Sequence, residues 1–232
     1  MRATRLLALT AAAVALLSAC TSPGQSTAQA TAKGPMSFFV TSVGSGKGAD
    51  LGGLAGADAH CQKLAAAAGA GNKTWRAYLS VPGTLPSGGT PATPAVHARD
   101  RIGKGPWFNA KGELIARDLE HLHDGNLISR ATALDERGNT IKGRGETPLE
   151  HDMLTGSRAD GTAFAPHTDT SCAGWTRGGA EGSAIVGHHD RAGPTADNWS
   201  TSWNFSHQTA GCSQEALVKT GGVGRFYCFA AD

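Results

Sequence analysis

Aliphatic side chains are scarce in this sequence. Leu, Ile, Val and Phe together stay below the level of about 20% under which a strongly charged chain is expected to remain disordered. Strong charge is missing as well: 21 Lys and Arg against 19 Asp and Glu leave a net charge of +2 with His neutral. The disorder signature therefore lacks its second half, and five Trp supply large apolar surface in place of aliphatics. With 32 Gly in the chain, the expectation is a loop-rich fold with a modest core. Other absences narrow the function. There is no Lys/Arg block and no basic stripe interleaved with aromatics, so nucleic acid is not an expected partner. No repeat recurs at solenoid periods. No Cys-x-x-Cys occurs, which argues against a zinc ribbon or a thioredoxin-like site. There is neither a Gly-x-Ser-x-Gly elbow nor a His-Glu-x-x-His pair. An enzyme is not expected.

What is present begins at the N-terminus. Arg2 and Arg5 form a basic head, and Leu6 to Leu17 is an apolar run broken only by Thr10. The run is shorter than the about 20 residues a membrane span needs, and small residues follow it, as in a secretory signal. Leu17-Ser18-Ala19-Cys20 resembles the lipobox of bacterial lipoproteins. That resemblance implies a signal peptide over 1–19, cleavage before Cys20 and acylation of its thiol. The membrane is then a partner through the Cys20 lipid. Such proteins carry an Asp after the cysteine when retained at the inner membrane. Thr21 stands there instead, which implies an outer-membrane or cell-surface location in the envelope. Residues 20–35 read as the lipidated cysteine and a flexible tether, because Thr21 to Pro35 holds no large apolar residue to offset its ordering entropy. A single domain over 36–232 follows.

Setting Cys20 aside leaves Cys61, Cys172, Cys212 and Cys228, an even number for an oxidising compartment. Four cysteines allow three pairings, and spacing does not choose among them. Along the domain, Met36 to Thr41 reads as a first strand. Leu54, Ala57, Cys61, Leu64, Ala65 and Ala68 recur at helical spacing until Gly69 and Gly71, with Cys61 on the buried face. Trp75 to Val81 alternates as a strand, Pro82 to Pro94 is a loop, and Val96 to Gly105 is irregular with a short strand. Glu113 to His123 suggests a short helix, Leu127 to Leu134 a strand or an irregular insert, and Arg137-Gly138-Asn139 a turn. Beyond Asp152 short strands alternate with long polar loops. Ala184 to Gly187 is one such strand, and Gly224 to Ala230 is the clearest. The fold class is α+β.

Several of these segments in order carry a family resemblance. Phe38-Phe39-Val40-Thr41 leads to Leu51 to Asp58 and Cys61, then Trp75 to Ser80, Leu154 to Ser157 and Asp160-Gly161-Thr162. Cys172 to Thr176, Gly187-His188-His189, Cys212-Ser213 and Gly224 to Phe229 complete the series. It resembles bacterial lipoprotein domains of the endostatin-like and C-type-lectin-like fold, among them the leptospiral endostatin-like surface lipoproteins, over nearly all of 36–232. The resemblance implies paired N- and C-terminal strands and two nested disulfides, Cys61 with Cys228 and Cys172 with Cys212. On the chain-entropy account each bridge contributes about 3–5 kcal/mol.

Candidate chemistry lies in the loops. Calcium-dependent lectins of that fold use Glu-Pro-Asn or Gln-Pro-Asp and Trp-Asn-Asp, and neither is present. Trp203-Asn204-Phe205 lacks the acid. Asp152, Asp160, Asp169, Asp190 and Asp197 offer oxygens for calcium, but no spacing makes them one shell. His121 and His123, which share a face if strand-borne, and His188 and His189 are the candidates for zinc. No cofactor is expected beyond those two options. Trp75 and Trp175 are expected in the core, and Trp199 and Trp203 at the surface, where indoles stack on sugars or anchor interfaces. Trp199, Trp203, Asn204 and Asp190 are thus the candidate ligand-binding residues. The function expected is an envelope-anchored binding lipoprotein that recognises a glycan or an extracellular or envelope protein. A metal-dependent envelope enzyme and a purely structural envelope protein are the alternatives.

Overall fold

The computed structural model describes residues 33–232. The signal peptide over 1–19, Cys20 and the tether up to residue 32 lie outside the described residues. The end of the expected tether is tied down: the Gly34 N–H donates to the Gly112 carbonyl at 3.1 Å.

The chain is a mixed α+β fold. The first strand, β1 (Phe38–Val40), is followed by helix α1 (Gly53–Ala67) and β2 (Trp75–Ala77). A small second sheet pairs β3 (Trp107–Phe108) with β4 (Leu114–Ala116) ahead of the short helix α2 (Leu119–His123). The second half supplies β5 (Asp152–Leu154), β6 (Ile185–His188), β7 (His207–Gln208), helix α3 (Gln214–Thr220) and the nine-residue β8 (Gly222–Ala230). Sequence patterning found α1, β1, β2, β6 and β8 to within a few residues. The expected helix over 113–123 splits into β4 and α2, because Asp118 caps α2 by accepting the His121 N–H at 2.8 Å. Leu127 to Leu134 is an irregular insert: the Leu127 N–H donates to the Ile115 carbonyl of β4 at 2.9 Å, the Leu134 carbonyl accepts from the Val40 N–H of β1 at 2.8 Å, and Leu134 bridges to Thr140.

Strand β8 organises the main sheet. One of its edges pairs antiparallel with β1, Phe38 opposite Phe229. The other edge is shared: β2 runs antiparallel along its C-terminal half, and β5 runs parallel along its N-terminal half. Beyond β5 come β6 and the edge strand β7. Both faces of this sheet are covered, so its strands read as continuous apolar runs rather than alternating ones. Phe39, Leu154, Phe226 and Cys228 enter one core with α1, Trp75 and Trp175. Phe38, Val40, Met153, Tyr227 and Phe229 enter the other with Trp107, Trp203 and Ile115. Trp75, Trp107 and Trp175 are at most 1% exposed, so rings fill volume that aliphatics fill elsewhere.

The two disulfides are Cys61–Cys228 and Cys172–Cys212. The first ties α1 to β8 across the core, and the second joins two loops of the second half. Asp58 on α1 adds a buried polar tie, accepting from the Ala77 N–H at 2.9 Å and from Arg101 at 2.8 Å.

Candidate functional site

The loops between β5 and α3 hold most of the residues singled out from the sequence. The structure separates them into two kinds. Pro194 to Trp199 is exposed throughout, and the Trp199 side chain is 45% exposed. It is the one aromatic among the exposed large apolar residues described. Trp203 differs from expectation. It is 3% exposed, with its ring 4.7 Å from that of Tyr78 and 5.2 Å from that of Tyr227. Asn204 is buried too, donating to the Tyr78 hydroxyl at 3.0 Å and to the carbonyls of Arg158 and Ala159 at 3.2 and 3.0 Å. Asp190 turns inward, its carboxylate accepting the N–H groups of Arg144 at 2.6 Å and Ala192 at 3.1 Å. A domain short of aliphatics packs large rings inside and ties its loops with buried polar groups. These three positions serve that purpose.

The histidines regroup as well. His121 and His123 lie on helix α2 rather than a strand, so they do not share a face. His121 Nδ1 accepts the Arg117 N–H at 3.1 Å. His123 donates from Nδ1 to the Leu119 carbonyl at 2.7 Å, and its Nε2 accepts from Tyr78 at 2.8 Å. Burial pulls the His123 pKa below its ordinary value. His189 is buried with Nε2 on the Lys142 carbonyl at 3.2 Å, and burial brings its pKa down to about 4.

His188 alone of the four joins a cluster; of its companions, Asp152 was weighed from the sequence for calcium, and His151 and His207 were not singled out. Register places them. Asp152 on β5 pairs across from His188 on β6, and His207 on β7 pairs with Val186, two residues along the same face. His151 immediately precedes β5. Asp152 Oδ1 lies 3.2 Å from His151 Nε2, 3.3 Å from His188 Nε2 and 3.5 Å from His207 Nε2. His188 Nε2 and His207 Nε2 are 3.0 Å apart. The rings of His151 and His188 stack with centroids at 4.1 Å. Side chains of Asp152, His188 and His151 are 2%, 1% and 4% exposed, and that of His207 is 29% exposed.

Each imidazole is also held from behind. His188 Nδ1 meets the Ser200 carbonyl at 2.7 Å, His207 Nδ1 the Gln208 carbonyl at 3.1 Å, and His151 Nδ1 the Asp190 carboxylate at 3.3 Å. Burial resists charge on Asp152, but the imidazoles of His188 and His207 outweigh it and hold the carboxyl below its usual range. The same carboxylate raises the His207 pKa, against burial. Burial likewise resists charge on Asp190, and His151 with the two loop N–H groups prevails, holding that carboxyl far below its ordinary value. Among the described residues, His151, Asp152 and His188 offer donor atoms within 4.8 Å of one another, and His207 Nε2 lies within 3.5 Å of those on Asp152 and His188. Of the acids weighed for calcium, Asp160, Asp169, Asp190 and Asp197 lie outside the set of donors around Asp152; Asp160 bonds to Thr162 and Asp169 to Arg177.

No protein-family model matches the chain. No curated protein is similar to it at a significant level either.

Proposed function

We propose that this chain is a lipid-anchored envelope protein whose domain, of the C-type-lectin-like and endostatin-like class, binds a glycan through the loop carrying Trp199. Support for the fold class comes from the antiparallel β1–β8 pairing and from the Cys61–Cys228 and Cys172–Cys212 bridges. Cys20 supplies the anchor, and the residues after it supply reach.

The observation that carries the ligand class is the exposed run Pro194 to Trp199. It sets one indole beside Thr195, Asp197 and Asn198. An isolated ring amid hydroxyl, carboxylate and amide groups suits a sugar, which offers an apolar face and polar edges. A protein interface wants a wider apolar centre. The test is a printed glycan array probed with the whole exported protein and its Trp199→Ala variant. The expected result is binding to a defined set of glycans, reduced about tenfold or more in the variant, the loss of one stacked ring. A blank array from folded protein, with saturable binding to an envelope or matrix protein instead, replaces the glycan with a protein partner. No ligand of either kind leaves a structural role for the domain.

A further inference from the structure

We infer that His151, Asp152, His188 and His207 form a zinc-binding centre that fastens both ends of the loop 189–206. This stands apart from the glycan reading and does not depend on it. The first ground is size. Ligand bonds to zinc of about 2.0–2.2 Å in a tetrahedron place donor atoms about 3.3–3.5 Å apart. Four of the six donor–donor separations measure 3.2, 3.3, 3.5 and 3.0 Å. The His151–His188 separation is under 4.8 Å.

The second ground is protonation. A carbonyl or carboxylate accepts at Nδ1 of all three imidazoles. That fixes the proton on Nδ1 and leaves a bare lone pair on Nε2, the arrangement in which histidine ligates a metal. With all three rings neutral, three lone pairs then face one carboxylate oxygen. The third ground is the absence of an alternative bond: both Asp152 oxygens are buried without a hydrogen-bond partner. The ring nitrogens stand near Asp152 Oδ1 but are not directed at it as donors. A buried, unpaired carboxylate is strongly unfavourable, and a cation among these four donors removes both the lone-pair repulsion and the unpaired charge.

Three nitrogens with one oxygen select a borderline ion such as zinc over calcium, which takes six to eight oxygens. Four protein donors also fill a tetrahedral shell, the form of a structural rather than a catalytic site. The ion would join β5, β6 and β7. His188 and His207 flank the loop 189–206, and the Ser200 carbonyl that orients His188 lies next to Trp199. Metal occupancy would therefore set the position of the exposed segment. His207, on the edge strand, is the route of entry.

The experiment uses the whole exported protein, extracted in detergent and free of any polyhistidine tag. Elemental analysis is expected to find one zinc per chain. After chelation, titration with cobalt is expected to restore one equivalent and to give the strong visible bands of a tetrahedral ion. His207→Gln, at a partly exposed edge position, is expected to keep the fold, checked by circular dichroism, and to lower zinc affinity at least tenfold. Asp190→Asn, which alters the group orienting His151 without removing a ligand, is expected to lower it about 10–100-fold. Zinc is expected to slow tryptic cutting after Arg191. A folded wild-type protein that takes up neither zinc nor cobalt overturns the centre. Uptake unaffected by both substitutions overturns the ligand assignment, and uptake without protection at Arg191 overturns the fastening of the loop.

Discussion

Single residues carry unusual burdens in this domain. Cys172, Ala173, Gly174 and Trp175 all have positive φ, between 48° and 68°, and make one turn of left-handed helix in front of the Cys172–Cys212 bridge. Each L-residue in that conformation costs about 1–2 kcal/mol. Ala173 is exposed, so replacing it loses no packing. Ala173→Gly is expected to stabilise the domain by about 0.5–1 kcal/mol, after the greater freedom of glycine in the unfolded chain is deducted. Chemical denaturation of the two proteins measures the difference, and an unchanged midpoint refutes it. His123 gives a second case. Its pKa is lowered in the fold by burial, against about 6.5 when unfolded. The unfolded chain therefore takes up the proton first as pH falls. The contribution to stability is complete above about pH 6.5 and declines below it. Thermal melts between pH 7 and pH 5 are expected to show a smaller loss for His123→Gln than for the parent.

At the scale of elements, the long strand β8 holds the domain together, and its partners come from distant parts of the chain. The bridge Cys61–Cys228 spans a sequence separation of 167, and Cys172–Cys212 one of 40. The loop-entropy relation gives about 5 kcal/mol for the first and about 4 kcal/mol for the second. Paired Cys→Ala variants, compared by denaturant unfolding, should rank in that order. The reverse ranking would show that residual structure in the unfolded chain, not loop length, dominates. Strand β6 shows how tightly the loop 189–206 is laid on the sheet. A Cβ on Gly187 would come within 2.0 Å of the Trp203 carbonyl oxygen, which accounts for glycine beside His188.

For the whole molecule, the expected anchor sets the compartment, and the compartment allows the disulfides. Acyl chains bind bilayers by about 0.8 kcal/mol per buried methylene, so the multiple acylation proposed at Cys20 would hold the protein on a membrane. Cys20→Ser is expected to abolish metabolic labelling with palmitate and to move the protein from the membrane fraction to the soluble one. Unchanged membrane retention would refute lipid anchoring. Among the described residues no helix is long and apolar enough to cross a membrane.

Much of the scaffold was legible from local pattern. The 3.6-residue spacing from Leu54 to Ala68 marked α1, the apolar runs at Phe38 and Phe226 marked strands, and the parity of the four later cysteines marked a bridged domain. Those signals are local because they depend on side chains a few positions apart. The candidate metal site was not legible. His151, His188 and His207 are far apart in sequence, and their convergence on Asp152 depends on the register of β5 with β6 and of β6 with β7, which a shift of one residue would reverse. The inward turn of Trp203 and Asn204 had the same origin. Composition told that large rings must be buried in a chain poor in aliphatics, and Trp75 and Trp175 were placed there from the sequence; only the packing of the two cores added Trp107 and Trp203.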